Sequence, residues 1–464
     1  MEIPGGRRKP METRSVNGIT EGVIWKQLLL FFFPILFGTF FQQFYSTVDT
    51  IIVGQAVGKQ ALAAVGVTAP FINLLVGFFT GLASGAGVVI SQYYGARDTG
   101  KVSGCVHTAV TLSLAAGVVF MAIGMLAAPW VLTVMRTPEE ILAESVLYIR
   151  VYFLGMVPTL LYNMGTGILR AVGDSKRPLY FLIAASLLNI VLDVVFVVGL
   201  DMGVAGAARA TVLSQVFSAA LVVLGLVHSA GAPYSLDLRG LTVEPSLLRE
   251  MVVIGLPAGL QSVMYTVSNL IIQAAINTFD TDAIAAWTVY GKMDCVFWMA
   301  LASMGLAITT FAGQNFGARK YERIHKGLAV ALGISALITA LCVFVFLAFG
   351  RPLFLIFNDD PAVLEIGLDM IRFLVPCYFL YLCIEIFSGA LRGAGDSLVP
   401  TILTGVGVCG LRIAWTAVAV PLRPALTTVM ASYPITWAVT SLCYVVYYLR
   451  GNWLRRRIAA VEGR

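Results

Sequence analysis

Four side chains in the first half of the sequence combine, by type and spacing, into a group that can bind a small cation or a proton. Asp49 stands in "STVDTIIVGQAVG", Asn189 and Asp193 in "LLNIVLDVVFVVGL", and Thr211 in "GVAGAARATVLSQ". A carboxylate at bilayer depth costs roughly 3 kcal/mol on insertion scales, and more in simulations, unless it faces a wet cavity or a partner. Asn189 and Asp193 are four residues apart, so a helix puts them on one face. Two carboxylates, an amide carbonyl and a hydroxyl are hard oxygen ligands for a cation, and two neighbouring carboxylates can share one proton. The plainer alternative makes Asp49 and Asp193 structural hydrogen-bond partners, or pairs Asp193 with Arg209, two residues from Thr211.

Only membrane-spanning helices can bring these segments to one level, and the composition supplies them. The 464 residues are 58% hydrophobic and 12% charged, with a mean hydropathy of +0.86, outside the range of soluble globular chains. Apolar runs of about 20 residues, set against a bilayer core of roughly 30 Å, predict an all-α polytopic membrane protein with twelve transmembrane helices. They lie near 26–56, 62–92, 104–131, 141–168, 178–200 and 203–228, then 251–277, 283–313, 327–350, 369–391, 398–420 and 425–449. The expected organisation is an N-terminal tail (1–25), an N-lobe of helices one to six (26–228), a polar linker (229–250), a C-lobe of helices seven to twelve (251–449) and a basic tail (450–464). At 1.5 Å per residue, Asp49, Asn189, Asp193 and Thr211 then sit at one depth, roughly 10 Å beneath the outer surface.

Most of the 31 Lys and Arg fall in the tails and in the loops after even-numbered helices, which places both termini in the cytoplasm. The net charge of +6 then needs no nucleic-acid partner. The opening "MEIPGGRRKPMETRSVNG" lacks the apolar core and cleavage site of a signal peptide, so the N-terminus is expected to stay in the cytoplasm, and the location expected for the protein is the cell membrane. The seven cysteines all fall within predicted helices and form no CxxC or Cys/His cluster, which reads as small apolar packing. His107, His228 and His325 stand near helix ends, and no metal site is expected. With no P-loop, dinucleotide fingerprint or nucleophile motif, the expectation is no enzyme and no cofactor. Transport energy must come from an ion gradient or from the substrate's own gradient.

Internal repetition organises the chain. "SQYYGARDTGK" (91–101) returns as "GQNFGARKYER" (313–323), "LRAVGDSKRP" (169–178) as "LRGAGDSLVP" (391–400), and "ALAAVGV" (61–67) as "AIAAWTV" (283–289), all at an offset of 222 residues. Six helices per half is an even number, so the two six-helix bundles are related by a parallel internal repeat, a plan that handles substrate between the halves by alternating access. In the twinned "LRAVGD" and "LRGAGD", Gly173 and Gly395 are expected to end the fourth and tenth helices, with Asp174 and Asp396 capping the next helix in each half.

The stretch "FPILFGTFFQQFYSTVDTIIVG" (33–54), "GQNFGA" (313–318), the twinned "LRAVGD" and "LRGAGD" and the two-lobed layout together resemble the multidrug and toxic compound extrusion (MATE) family of cation-coupled antiporters, from about residue 20 to 450. In MATE proteins of this pattern an acidic residue on the first helix, an Asn/Asp pair on the fifth and a Thr on the sixth form an N-lobe cation site. The resemblance therefore implies that role for Asp49, Asn189, Asp193 and Thr211. It also implies that the first helix bends at Pro34 when the N-lobe takes up its proton. The plainer alternative is a static proline kink, and Pro257 is the counterpart on the seventh helix.

The second half carries a different set. At the 222-residue offset Asp193 becomes Trp415 and Thr211 becomes Tyr433, while Lys292, Asp294, Glu385 and Arg412 are the charges present. They are expected to form internal ion pairs lining a C-lobe cavity. Some MATE proteins place a cation- or substrate-binding carboxylate on the tenth helix, where Glu385 stands, but the seventh helix here carries no acidic partner. Gln42, Tyr45, Gln261 and Tyr265, with Phe41 and Trp298, are candidate linings for a substrate cavity. The expected activity is secondary antiport, exporting organic, cationic drugs or toxic compounds in exchange for H+ or Na+, by a monomer in the lipid bilayer. The alternative is a flippase for a lipid or lipid-linked substrate, which a strongly basic groove open sideways to lipid would favour.

Overall fold

The computed structural model describes residues 18–462; residues 1–17, with most of the basic opening stretch, and 463–464 lie outside the described residues. Among the described residues eleven helices are long and apolar enough to cross a bilayer, and one broken pair makes a twelfth span. The first six spans are α1 (Ile24–Ala56), α2 (Lys59–Gly95), α3 (Thr99–Val134), α4 (Glu139–Leu154 and Met156–Ala171), α5 (Lys176–Gly199) and α6 (Gly203–Val227). The second six are α7 (Pro245–Ile276), α8 (Thr281–Gly317), α9 (Tyr321–Leu355), α10 (Pro361–Gly393), α11 (Leu398–Leu422) and α12 (Leu426–Arg450). A short α13 (Trp453–Glu462) ends the described residues, where the sequence suggested only a basic tail. No strand occurs among the described residues, as expected where lipid leaves every backbone group to be paired within its own helix.

Local signals set the helix ends. Asp98, Asp280 and Asp360 cap α3, α8 and α10, accepting hydrogen bonds from Lys101, Ala283 and Ala362 backbone amides at 3.1, 2.8 and 2.8 Å. Pro245 and Pro361 occupy first-turn positions of α7 and α10, where a missing N–H is harmless. Hydropathy started the seventh helix near 251; α7 starts at Pro245 because the polar turn before the apolar run is already helical. Gly173 and Gly395 have φ of +94° and +90°. Asp174 does cap the start of α5, accepting from the Lys176 and Arg177 amides at 3.1 Å. Asp396 departs from its twin and accepts from the Tyr447 hydroxyl at 2.6 Å.

The repeat extends to irregularities. α4 breaks at Gly155 with a 49° bend, and α10 tightens into a 3₁₀ turn at Val375–Leu380, the same place in the second repeat. Each half has its own apolar core. The two are joined at the end of the bundle that carries the described termini. There Leu28, Phe31, Phe32 and Ile35 of α1 enter the core of the second half, while Phe40, Phe44 and Ile51 further along α1 are exposed. Gly81 and Gly85 of α2 lie against Gly259 and Gly255 of α7 so closely that a Cβ on either would strike backbone.

The same end holds a reciprocal seal. Gln92 Nε2 donates to the Gly393 carbonyl at 2.8 Å, and Gln314 Nε2 donates to the Ala171 carbonyl at 2.7 Å; both donors and both acceptors are related by the 222-residue offset. Gly95 and Gly317 complete it, since a Cβ on either would meet the carbonyl of the opposite glutamine.

Candidate functional site

Asp49 comes from the far part of α1 and Asp193 from the last regular α-helical residue of α5. These helices pack side by side, and the two carboxyl groups meet within hydrogen-bonding reach. Asp193 is 0% exposed and Asn189, one turn before it, 2%. Neither oxygen of Asp193, neither polar atom of the Asn189 amide and not Oδ1 of Asp49 has a hydrogen-bond partner. Buried polar atoms are nearly always paired, and two carboxylates have no proton to donate to each other. A shared proton, or a cation among these oxygens, satisfies the group. A π-helical turn, Val194–Gly199, comes directly after Asp193, an irregularity frequent at functional sites.

Beside this pair lies a chamber of about 340 Å³ whose walls include Asn189, Thr211, Gln42, Tyr45, Tyr152 and Arg170. The Thr211 hydroxyl donates to the Ala207 carbonyl at 3.1 Å, and its oxygen remains able to accept. The phenols of Tyr45 and Tyr148 lie in the field of both carboxylates. Thus Asp49 meets Asp193, Asn189 and Thr211 line the adjoining chamber, and Gln42 and Tyr45 share its wall. Arg209 stands exposed near Met202 Sδ (4.0 Å) and forms no ion pair with Asp193.

The second half encloses a chamber of about 450 Å³, lined by Asp294, Glu385, Arg412, Tyr265 and Trp298 among aromatic neighbours. The ion pairs expected there do not form. Asp294 accepts hydrogen bonds from the Tyr378 hydroxyl and from Trp298 Nε1, and the Arg412 guanidinium lies 4.2 Å from the centre of the Tyr433 ring. Lys292 lines no part of this chamber and is exposed; two residues from Asp294 on α8, it points about 200° away around the helix. Gln261 also lines neither chamber and is buried. It sits one turn nearer the α2–α7 contact than Tyr265, which does reach the chamber. Among the described residues no cluster of three or more His, Cys, Asp or Glu could hold a metal ion, and all seven cysteines are free thiols.

Several lining residues are not evident from the sequence. Tyr152 lines the first chamber, and its spacing of four from the buried Tyr148 on an apolar helix was an available signal. Arg170 reads in the sequence as a loop charge, yet it lines the first chamber.

A family model described as MatE matches residues 34–195 and 257–418, one in each half. A probable multidrug resistance protein, YoeA, of Bacillus subtilis is 28% identical over 446 residues, covering 94% of this chain and 95% of that protein. The multidrug export protein MepA of Staphylococcus aureus is 23% identical over 465 residues, covering 98% and 100%. Among solved structures, a MOP-superfamily transporter from Pyrococcus furiosus superposes with a TM-score of 0.88 at 24% identity, over 97% of this chain and 99% of that one. With the family's pattern fitted once to each six-helix half, the chain belongs to the MatE family of membrane transporters.

Proposed function

We propose that this chain is a secondary antiporter of the cell membrane, with both termini cytoplasmic, that exports organic, cationic drugs or toxic compounds in exchange for entering H+ or Na+ by alternating access. The relatives' multidrug names support the substrate class. The observation that carries the coupling is the Asp49–Asp193 pair, with Asp193 buried, Asp49 half-buried and Asn189 beside them, in which both Asp193 oxygens, the Asn189 amide and Asp49 Oδ1 are buried without a partner. Facing carboxylates repel when both are ionised, so the pair accepts one positive charge. Binding from the outer side neutralises it and lets α1 bend at Pro34, where the helix already lacks a backbone hydrogen bond. The bend shrinks the chamber that α1 walls with Gly38, Gln42 and Tyr45 and favours release of substrate. The flippase alternative draws no support from this chamber, whose polar lining is neutral apart from Arg170.

The test is drug export from proteoliposomes with an imposed pH or Na+ gradient, each collapsed in turn. Export should stop when the coupling gradient is removed. Export that is indifferent to both gradients sinks the antiport reading, and phospholipid flipping in the same vesicles would install the alternative.

A further inference from the structure

Arg170 occupies an unusual position for a guanidinium. It lines the first chamber and the adjoining pocket of about 110 Å³ that continues toward the sealed end. Among the described residues it makes no hydrogen bond and no ion pair, and its Nε is buried without a partner. The residues lining the chambers around it, Thr80, Asn163, Thr166, Thr309 and Thr310 with Tyr162, carry no negative charge. An uncompensated cation inside a membrane protein is costly and is retained where an anion comes to meet it.

The repeat shows what is missing. Its counterpart Arg392 donates to Ser388 Oγ at 3.1 Å and lies in the field of Glu385. At the 222-residue offset Glu385 corresponds to Asn163 and Ser388 to Thr166. Asn163 Nδ2 donates to the Thr159 carbonyl at 3.0 Å, and the Thr166 hydroxyl donates to the Asn163 carbonyl at 3.0 Å. In the first half the carboxylate has become a neutral amide and the Thr166 hydroxyl accepts nothing from the guanidinium, so Arg170 has neither the opposite charge nor the hydrogen bond that Arg392 has.

We infer that Arg170 docks a carboxylate of the transported molecule, so that the preferred substrates are amphoteric organic compounds carrying a carboxylate as well as a basic amine. This rests on the export reading above and narrows its substrate class. The guanidinium fork matches a carboxylate with two parallel hydrogen bonds. The chamber is polar end to end: Arg170 is next to the last residue of α4, while Asn189 lies thirteen residues into α5, a helical rise of about 20 Å. A molecule spanning part of that length places its acid at Arg170 and its amine toward the end walled by Asn189, Gln42 and Tyr45, beside the Asp49–Asp193 pair. A simple cation meets the same neutral polar end but is repelled at Arg170. Arg170 also adjoins Ala171, whose carbonyl holds the Gln314 seal, so the docking point lies where an opening at that end would first admit substrate.

The experiment uses the full chain in nanodiscs and a matched pair of fluorescent probes, the zwitterion Nα-dansyl-lysine, whose ε-amine is remote from its carboxylate, and its cationic methyl ester. The wild-type protein should bind the acid about tenfold more tightly than the ester, equivalent to about 1.4 kcal/mol. Arg170→Gln should bring the ratio to about one, and Arg170→Lys, which keeps the charge without the fork, should lie between. A wild-type ratio at or below one, binding of neither probe, or an Arg170→Gln variant that keeps the preference each overturns the inference. If Arg170→Gln does not fold, the wild-type ratio and Arg170→Lys decide. The binding ratio is independent of ion gradients: gradient-driven export of the ester with no preference for the acid overturns the role of Arg170 alone, whereas an intact preference without gradient-driven export overturns only the antiport reading.

Discussion

At the scale of single residues the consequential fact is that Asp49, Asn189 and Asp193 bury polar atoms that no protein group satisfies. An amide in place of either carboxylate keeps the volume and removes the ionisable group. Asp49→Asn and Asp193→Asn should therefore each abolish gradient-driven export while leaving yield and membrane insertion intact. Removing half of a repelling pair should also hold or raise the melting temperature rather than lower it. Wild-type coupling in both variants, measured by ion-gradient-driven drug export, would refute the role assigned to the pair. Arg209→Ala should be neutral, because the arginine is exposed and unconnected to Asp193. The sequence marked these residues because a charge in an apolar run is conspicuous. It could not mark Arg170, whose isolation follows from no side chain around it, Asn163 and Thr166 included, accepting from the guanidinium.

At the scale of elements, function depends on where helices stop being regular: the break of α4 at Gly155, the 3₁₀ turn of α10, the π turn after Asp193 and the left-handed ends at Gly173 and Gly395. The last two are positions where only glycine fits without strain. At Gly395 an added Cβ would run into the Arg457 guanidinium and come 3.2 Å from Gln92 Nε2, on a backbone with φ +90°. Gly395→Val should cost about 1–2 kcal/mol in backbone strain alone, plus the disturbed contact with α13. Lower folded yield on detergent size-exclusion should precede any change in substrate range; normal yield with an altered drug profile would contradict this. The glycines were legible because the "GD" motif recurs, whereas the mid-helix breaks were not, since hydropathy reads through a single irregular turn.

At the scale of the whole molecule, the halves meet through two symmetric hydrogen bonds, Gln92 to Gly393 and Gln314 to Ala171, with glycine contacts around them. Truncating one glutamine leaves a buried carbonyl without its donor, a loss of about 1–3 kcal/mol from the sealed state. Gln92→Ala with Gln314→Ala should therefore open that end more often. A cysteine introduced at Ser84, which lines the inner pocket, should label faster with a membrane-impermeant thiol reagent applied to the terminus-bearing face. Each single variant should show a smaller rise. Unchanged labelling of the double variant above the native-cysteine background would mean that these bonds do not hold the seal.

What the sequence by itself determined was everything set by distance along the chain: the all-α membrane class and the duplicated six-helix plan. Apolar length, repeat offset and a constant rise per residue are local quantities and need no packing information. Tertiary structure alone decided what each helix turns toward. Asp294 found Tyr378, 84 residues away, in place of an expected ion pair, Lys292 faced outward from the same helix, and Gln261 was buried beside a chamber that Tyr265 lines. The physical reason is that the rotation of a helix about its axis is chosen by close packing against several neighbours at once. In these halves that packing is set by glycine contacts between α2 and α7 and by side chains from opposite repeats.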